Sequence, residues 1–405
     1  EPKELLVLEG SGHLEGLCAW LQRRGYPHDA IRRRMKVAGA LDRALRRRRI
    51  RSLGELTASE LRSFAPPRRA SCSPPKGALV RSLAVYMEER GELRATPPTP
   101  TDRRVADYRR YLERVRGLSA STTTLHGVTI TKFLGSLGYD ACPQRLRGLG
   151  SADVEAFIAT TGTHVSRSRM VQVTAVLRSF LRFLAVTGEG PAGLDTAVDS
   201  PRTWRGERLP RALPWDAVRT FLGSIDRSTP KGRRDFAMFL LIATYGLRTS
   251  EVAALDLDDL SWRTRQIRIP RPKVGTPLLL PLTDEIGAAL LSYLRHGRPA
   301  SVHRRVFLRV EFPLGPLGRG VIGGALRRWA RHAGIRLPVP GGPHCLRHTL
   351  ALHLLREGTA LKTIGDLLGH RSAEATGVYL RLDVDDLRDV ALPLPAPAVA
   401  DQVRP

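Results

Sequence analysis

Four short patterns in the last half of the chain hold residue types that can work on an anionic, oxygen-rich group. In order they are Thr244-Tyr-Gly-Leu-Arg-Thr-Ser-Glu251, Lys273, His344-Cys-Leu-Arg-His348, and Leu367-Leu-Gly-His370 with Tyr379 nine residues further on. Arg248 and Arg347 carry guanidiniums that stay charged and match phosphate-type oxygens bidentately. Lys273 and the histidines can hold or move protons. Tyr379 carries a hydroxyl whose ordinary pKa is about 10, so it must lose a proton to act as a nucleophile. Glu251 follows Arg248 by three residues and His344 precedes Arg347 by three, so each pair shares a helix face. His344 and His348 also have the spacing of a helical metal pair. A zincin needs Glu after the first His, and Cys345 stands there, so no metal site is expected. Taken singly, each residue has a plainer reading: Arg248 as a solvated side chain, Tyr379 as one core tyrosine among eight.

The balance of charge points to a polyanionic partner. Lys and Arg number 65 against 39 Asp and Glu, a formal charge of +26, and nucleic acid is the commonest partner of such an excess. Only 7 of the 65 are Lys, and Lys273 is the only one between Arg248 and His344. The four cysteines, Cys18, Cys72, Cys142 and Cys345, form no Cys-x-x-Cys pair, so they read as free thiols of a reducing cytoplasm. No apolar run approaches the roughly 18–20 residues of a membrane span, and Glu1 to Gly10 do not read as a secretory signal. The expected location is cytoplasmic.

The elements that must position these residues are mostly helices. Ala95 to Thr101 hold three prolines and predict an extended linker. In the block 103–190, Val173, Val176, Leu177, Phe180 and Leu184 form one apolar helix face. Ser121 marks a helix start whose buried face is Ile130, Phe133 and Leu134. Residues 1–94 read as a degenerate copy of that block. Leu21 to Tyr26 parallel Leu112 to Leu118, Leu56 to Phe64 parallel Leu149 to Phe157, Arg81 parallels Arg178, and Gly91 parallels Gly188, in consistent order. A softer break spans 191–207. Beyond it, helices are expected at 233–245, from Thr249–Ser250 (whose hydroxyls would cap it), and near 285–295, 321–333, 344–357, 360–368 and 373–380. Gly246 breaks the first of these, and Gly358 and Gly369 act as stops. Gln266 to Pro270 and Pro277 to Leu282 read as two strands whose turn holds Lys273. The Pro-rich tail, 392–405, leaves the globule.

The ordered set of patterns resembles the tyrosine recombinase, or phage integrase, family over most of 103–391. The resemblance implies a mainly α fold with a small β-sheet in the catalytic domain. It implies a helical, SAM-like core-binding domain at 103–190 and a catalytic domain at 208–391, with 1–94 as an extra helical domain and 95–102 as a linker. It implies site-specific DNA recombination without cofactor. Tyr379 would attack a phosphodiester to form a 3′-phosphotyrosine and free a 5′-hydroxyl. Arg248 and Arg347 would stabilise charge on the phosphate, Lys273 would protonate the leaving oxygen, His344 would assist proton transfer and His370 would bond the phosphate. Glu251 and His348 would support. The turn Pro270 to Pro277 is poorer in Gly and Lys than the family's usual one, and Arg268 or Arg271 could instead hold the phosphate.

The expected partners are double-stranded DNA, three more copies of the chain in a tetramer on two synapsed sites, and an accessory recombinase or directionality factor. Integration or excision of a mobile element is the expected role. Arg46, Arg47, Arg48 and Arg49 in the extra domain, and Arg327, Arg328 and Arg331 on the 321–333 helix, are expected phosphate contacts. Two other readings fit the same residues: a non-catalytic architectural DNA-binding protein, and a relaxase similar to type IB topoisomerases.

Overall fold

A computed structural model describes residues 12–66, 75–202, 211–270, 277–338, 342–369, 376, 377 and 379. These fall into two compact units: Glu1–Arg51, Arg62–Tyr86 and Arg208–Pro405 in one, Ser52–Leu61 and Met87–Glu207 in the other. No helix among the described residues is long and apolar enough to cross a membrane.

The first 94 residues supply α1 (His13–Arg23), α2 (His28–Met35), α3 (Ala38–Arg47), α4 (Ala58–Ser63) and α5 (Pro75–Arg90). Helix α3 buries Ala38, Leu41 and Leu45 and exposes Arg43 and Arg47, the spacing of an amphipathic helix. Two residues beyond its end, Arg49 holds φ 58. That left-handed conformation is strained for any residue with a Cβ, by roughly 1–2 kcal/mol.

Next come α6 (Pro100–Arg114), α7 (Ala120–Ser136), α8 (Ser151–Gly162) and α9 (Arg167–Val186). The apolar face expected on α9 is buried from Val173 to Leu184, and it packs with Ile130, Phe133 and Leu134 of α7 in one core. Two boundaries differ from expectation. Helix α6 begins inside the Pro/Thr stretch, because Pro100 suits the first helical position and Thr99 and Asp102 cap it reciprocally at 3.1 and 3.0 Å. Helix α7 starts at Ala120, with Ser119 in the N-cap position, rather than at Ser121.

The C-terminal part holds α10 (Trp215–Gly223), α11 (Pro230–Tyr245), α12 (Thr249–Ala254), α13 (Asp284–His296), α14 (Arg319–His332), α15 (His344–Arg356) and α16 (Leu361–Leu368). Strands β1 (Leu260–Ser261), β2 (Gln266–Ile269) and β3 (Leu278–Pro281) form an antiparallel sheet, and β4 (Leu308–Arg309) pairs with β5 (Gly315–Pro316). The architecture is therefore mainly helical with small antiparallel sheets.

Helix α11 is the spine of this part. All seven residues from Ala237 to Ala243 are buried, so it is enclosed on every side. Tyr245 at its end donates to the Pro281 carbonyl and so fixes the β2–β3 hairpin against it. Asp235, also on α11, is wholly buried and accepts from Arg234 at 2.6 and 2.9 Å, from Arg328 at 2.9 Å and from the Trp329 indole at 2.9 Å. This carboxylate locks α11 to α14. Asp235→Ala would leave the Arg234 guanidinium buried without its counter-charge. A loss of about 3–5 kcal/mol is expected in urea unfolding of the full chain. A loss under about 1 kcal/mol would contradict this account of the network.

Candidate active site

The site is built where α11, α12, α15 and α16 end or begin. Helix α11 stops at Gly246, which takes the left-handed conformation (φ 61). A Cβ there would lie 2.5 Å from Leu368 Cδ2, so glycine is required for both its backbone and its bareness. The turn delivers Arg248 to the N-cap position of α12. The capping is not the one expected from Thr249 and Ser250. The Glu251 carboxylate accepts the Arg248 backbone N–H at 2.7 Å and its guanidinium at 2.9 Å. One buried acid thus caps the helix and aims the arginine. An ionised carboxylate accepts an N–H more strongly than a neutral hydroxyl does.

Arg347 sits one turn into α15 with only 3% of its surface exposed. Its guanidinium donates to the Gly246 carbonyl at the end of α11 and to the Leu368 carbonyl at the end of α16. Carbonyls at helix C-termini lack intrahelical donors and carry the negative end of the helix dipole, so a buried cation is well placed there. Arg248 adds a third bond to the same region, to the Gly369 carbonyl at 3.3 Å. Gly369 itself is left-handed (φ 63) and terminates α16 as expected. The two arginines therefore converge on the end of α16, one residue before His370.

Tyr379 is 1% exposed and packs against Ala351, Ile364 and Leu368. Its hydroxyl lies 3.0 Å from His348 Nδ1. Burial raises its pKa, and the charges of Arg347 and Arg248 pull it back down. His344 keeps an exposed edge, yet its pKa is lowered. Protein packed around the ring is the main cause, followed by the charges of Arg347 and Arg248, with Glu251 acting the other way. The rings of His344 and His348 stand perpendicular with centroids 5.9 Å apart.

Six sequence-predicted residues, Arg248, Glu251, His344, Arg347, His348 and Tyr379, thus cluster around one helix end. Lys273 and His370 lie outside the described residues, as does most of the helix expected at 373–380. Of the expected phosphate contacts, Arg46 pairs with Asp42 at 2.8 Å and Arg48 lies over the Phe64 ring at 4.4 Å, while Arg47 and Arg49 are exposed. Arg328 bonds Asp235, and Arg327 and Arg331 are exposed. Sequence reading expected the helix to stop at Gly246, as α11 does, but not the approach of Leu368 that bars a side chain there. The signal for the stop was a glycine closing an apolar helical run before the arginine.

The model of the phage integrase family matches residues 211–385. The integrase/recombinase y4rA of Sinorhizobium fredii (strain NBRC 101917 / NGR234) is 34% identical over 94% of this chain and 93% of its own length. The tyrosine recombinase XerD of Listeria monocytogenes serotype 4b is 30% identical over 71% of this chain and 96% of its own. Among solved structures, the XerH site-specific recombinase bound to difH substrate in a pre-cleavage complex is similar in fold. It has a TM-score of 0.54 at 17% identity, covering 73% of this chain and 98% of that one. A mainly helical chain with this cluster of arginines, histidines and a tyrosine is of the site-specific recombinase class. It belongs to the phage integrase family, the tyrosine recombinases.

The electrostatics give a signed expectation. Glu251 is the group that raises the His344 pKa, so Glu251→Gln should move it further below the ordinary value of about 6.5. A histidine-ring NMR titration measures this, and a rise in the variant would contradict the arrangement.

Proposed function

We propose that this chain is a site-specific DNA recombinase that cuts and rejoins strands of double-stranded DNA through a 3′-phosphotyrosine. The observation that carries the reading is the placement of the Tyr379 hydroxyl on His348, within the field of Arg248 and Arg347. The tyrosine oxygen forms a bond to phosphorus, and the bond from phosphorus to the 5′ oxygen breaks. The tyrosine proton leaves through a histidine, and the 5′ oxygen takes up a proton. A 5′-hydroxyl then reverses the step. Atoms and charge balance without cofactor or nucleotide.

Arg248 and Arg347 supply charge where the phosphate gains it, usually the largest catalytic contribution. His344, held neutral at pH 7 by its depressed pKa, is ready to accept a proton. His348 positions the nucleophile. Lys273 and His370 take the leaving-group and phosphate roles that the family pattern gives their positions. The reading extends to two synapsed sites held by four copies, with integration or excision of a mobile element as the task.

The test uses nicked duplexes spanning candidate sites, incubated with wild type and Tyr379→Phe without metal or ATP and run on a denaturing gel. A covalent protein–DNA band in the wild type alone is expected. A band in both proteins would mean another nucleophile, and tight salt-sensitive binding with no band would favour an architectural protein. Relaxation of supercoils without strand exchange would favour the relaxase reading.

A further inference from the structure

We infer that residues 13–94 are a second copy of the 100–190 helical module, and that their α2–α3 face is a separate binding site for the phosphate backbone of duplex DNA. The copy is visible in the backbone itself. Helix α1 is followed within three residues by Gly25 (φ 75) as α6 is by Gly117 (φ 60), and α5 by Gly91 (φ 68) as α9 is by Gly188 (φ 69). After α5 the Glu92 N–H returns to the Met87 carbonyl at 3.1 Å. After α9 the Glu189 N–H returns to the Leu184 carbonyl at 2.9 Å. Glu60 accepts the Thr57 N–H at 2.8 Å at the start of α4, as Asp153 accepts the Gly150 N–H at 3.1 Å at the start of α8. Buried positions follow the same pairing: Leu61 with Val154, Phe64 with Phe157, Leu83 with Phe180, and Met87 with Leu184.

The pairing matters most at the end of α3. The Ile50 N–H reaches the Leu45 carbonyl at 3.2 Å, as the Tyr139 N–H reaches the Leu134 carbonyl at 3.1 Å after α7. Leu41 and Leu45 are buried as Ile130 and Leu134 are. At the left-handed position between them, α7 has Gly138 (φ 65), which the turn favours. The N-terminal copy has Arg49 at φ 58. Folding alone would favour glycine there too, so the arginine stands at a cost to the backbone.

It also joins a concentration of like charge. Between Arg23 and Arg51 there are twelve Arg and Lys against two Asp. Arg32, Arg33, Lys36, Arg43, Arg47 and Arg49 are all exposed. Exposed charges of one sign this dense along the chain favour a polyanionic partner. Guanidiniums match phosphate oxygens bidentately, and duplex DNA presents those oxygens at closely spaced intervals. No base reading is needed, because these contacts position a protein without specifying sequence.

The test measures binding of the full chain to a 60-base-pair duplex of arbitrary sequence across a salt series. Wild type is compared with Arg43→Ala/Arg47→Ala/Arg49→Gly and with Arg49→Gly alone. Each phosphate contact contributes about 0.9 to the slope of log affinity against log salt. The triple variant is expected to lower that slope by about 2–3 and the low-salt affinity by at least about tenfold. Arg49→Gly is expected to bind less tightly while unfolding at a higher temperature, which a purely structural arginine would not do. An unchanged slope, a loss of binding that tracks a lowered unfolding temperature, or preference for single-stranded RNA of equal length would each overturn the inference. At saturating protein the triple variant should still form the covalent band on a nicked duplex. Absence of that band in the wild type as well would count against the proposed chemistry and leave this binding result standing.

Discussion

One buried guanidinium holds the site together. Arg347 bridges the last carbonyl of α11 and the last of α16. Both are helix C-termini, where orphan carbonyls and the dipole favour a cation. Everything nearby is arranged to present those carbonyls. Gly246 and Gly369 turn left-handed so that each helix stops short, and Leu368 fills the space a Cβ on Gly246 would take. Arg248 then reaches the same helix end because Glu251 fixes both its backbone and its side chain. A buried charge without such partners would be strongly destabilising. Correct folding of three distant segments and correct placement of two arginines are thus one condition.

The same charges act on the titration of their neighbours. Burial alone would make Tyr379 a poorer acid, and the two arginines oppose that. They also push His344 toward its neutral form, while Glu251 limits their effect. Glu251 is therefore more than a brace: it tempers the field felt by His344. His348 completes the set by meeting the tyrosine hydroxyl. It is on α15 with His344 and Arg347, so one helix carries three of the groups.

Much of this was legible in the sequence, for identifiable reasons. Helix lengths and the buried face of α9 follow from apolar periodicity, and the stops at Gly358 and Gly369 follow from glycine's freedom at positive φ. The cluster Arg248, His344, Arg347 and Tyr379 was readable because its members sit in short patterns of fixed spacing. Other features depend on distance across the fold. The bonds of Arg347 span 101 and 21 residues, and the network around Asp235 joins residues 93 and 94 apart. No local pattern encodes such pairings. The capping of α12 was misassigned for a related reason. Thr249 and Ser250 look like caps in isolation, but the turn after Gly246 places Arg248 at the cap and lets the Glu251 carboxylate compete successfully.

The most direct test of this picture is hydrogen exchange across residues 361–369 in wild type and Arg347→Lys. Lysine keeps the charge and loses the fork that spans two carbonyls. The account predicts faster exchange along α16 in the variant, unchanged exchange in α14, and loss of covalent DNA capture. Protected α16 amides together with lost capture would contradict it, since Arg347 would then serve the phosphate alone and not the assembly of the site.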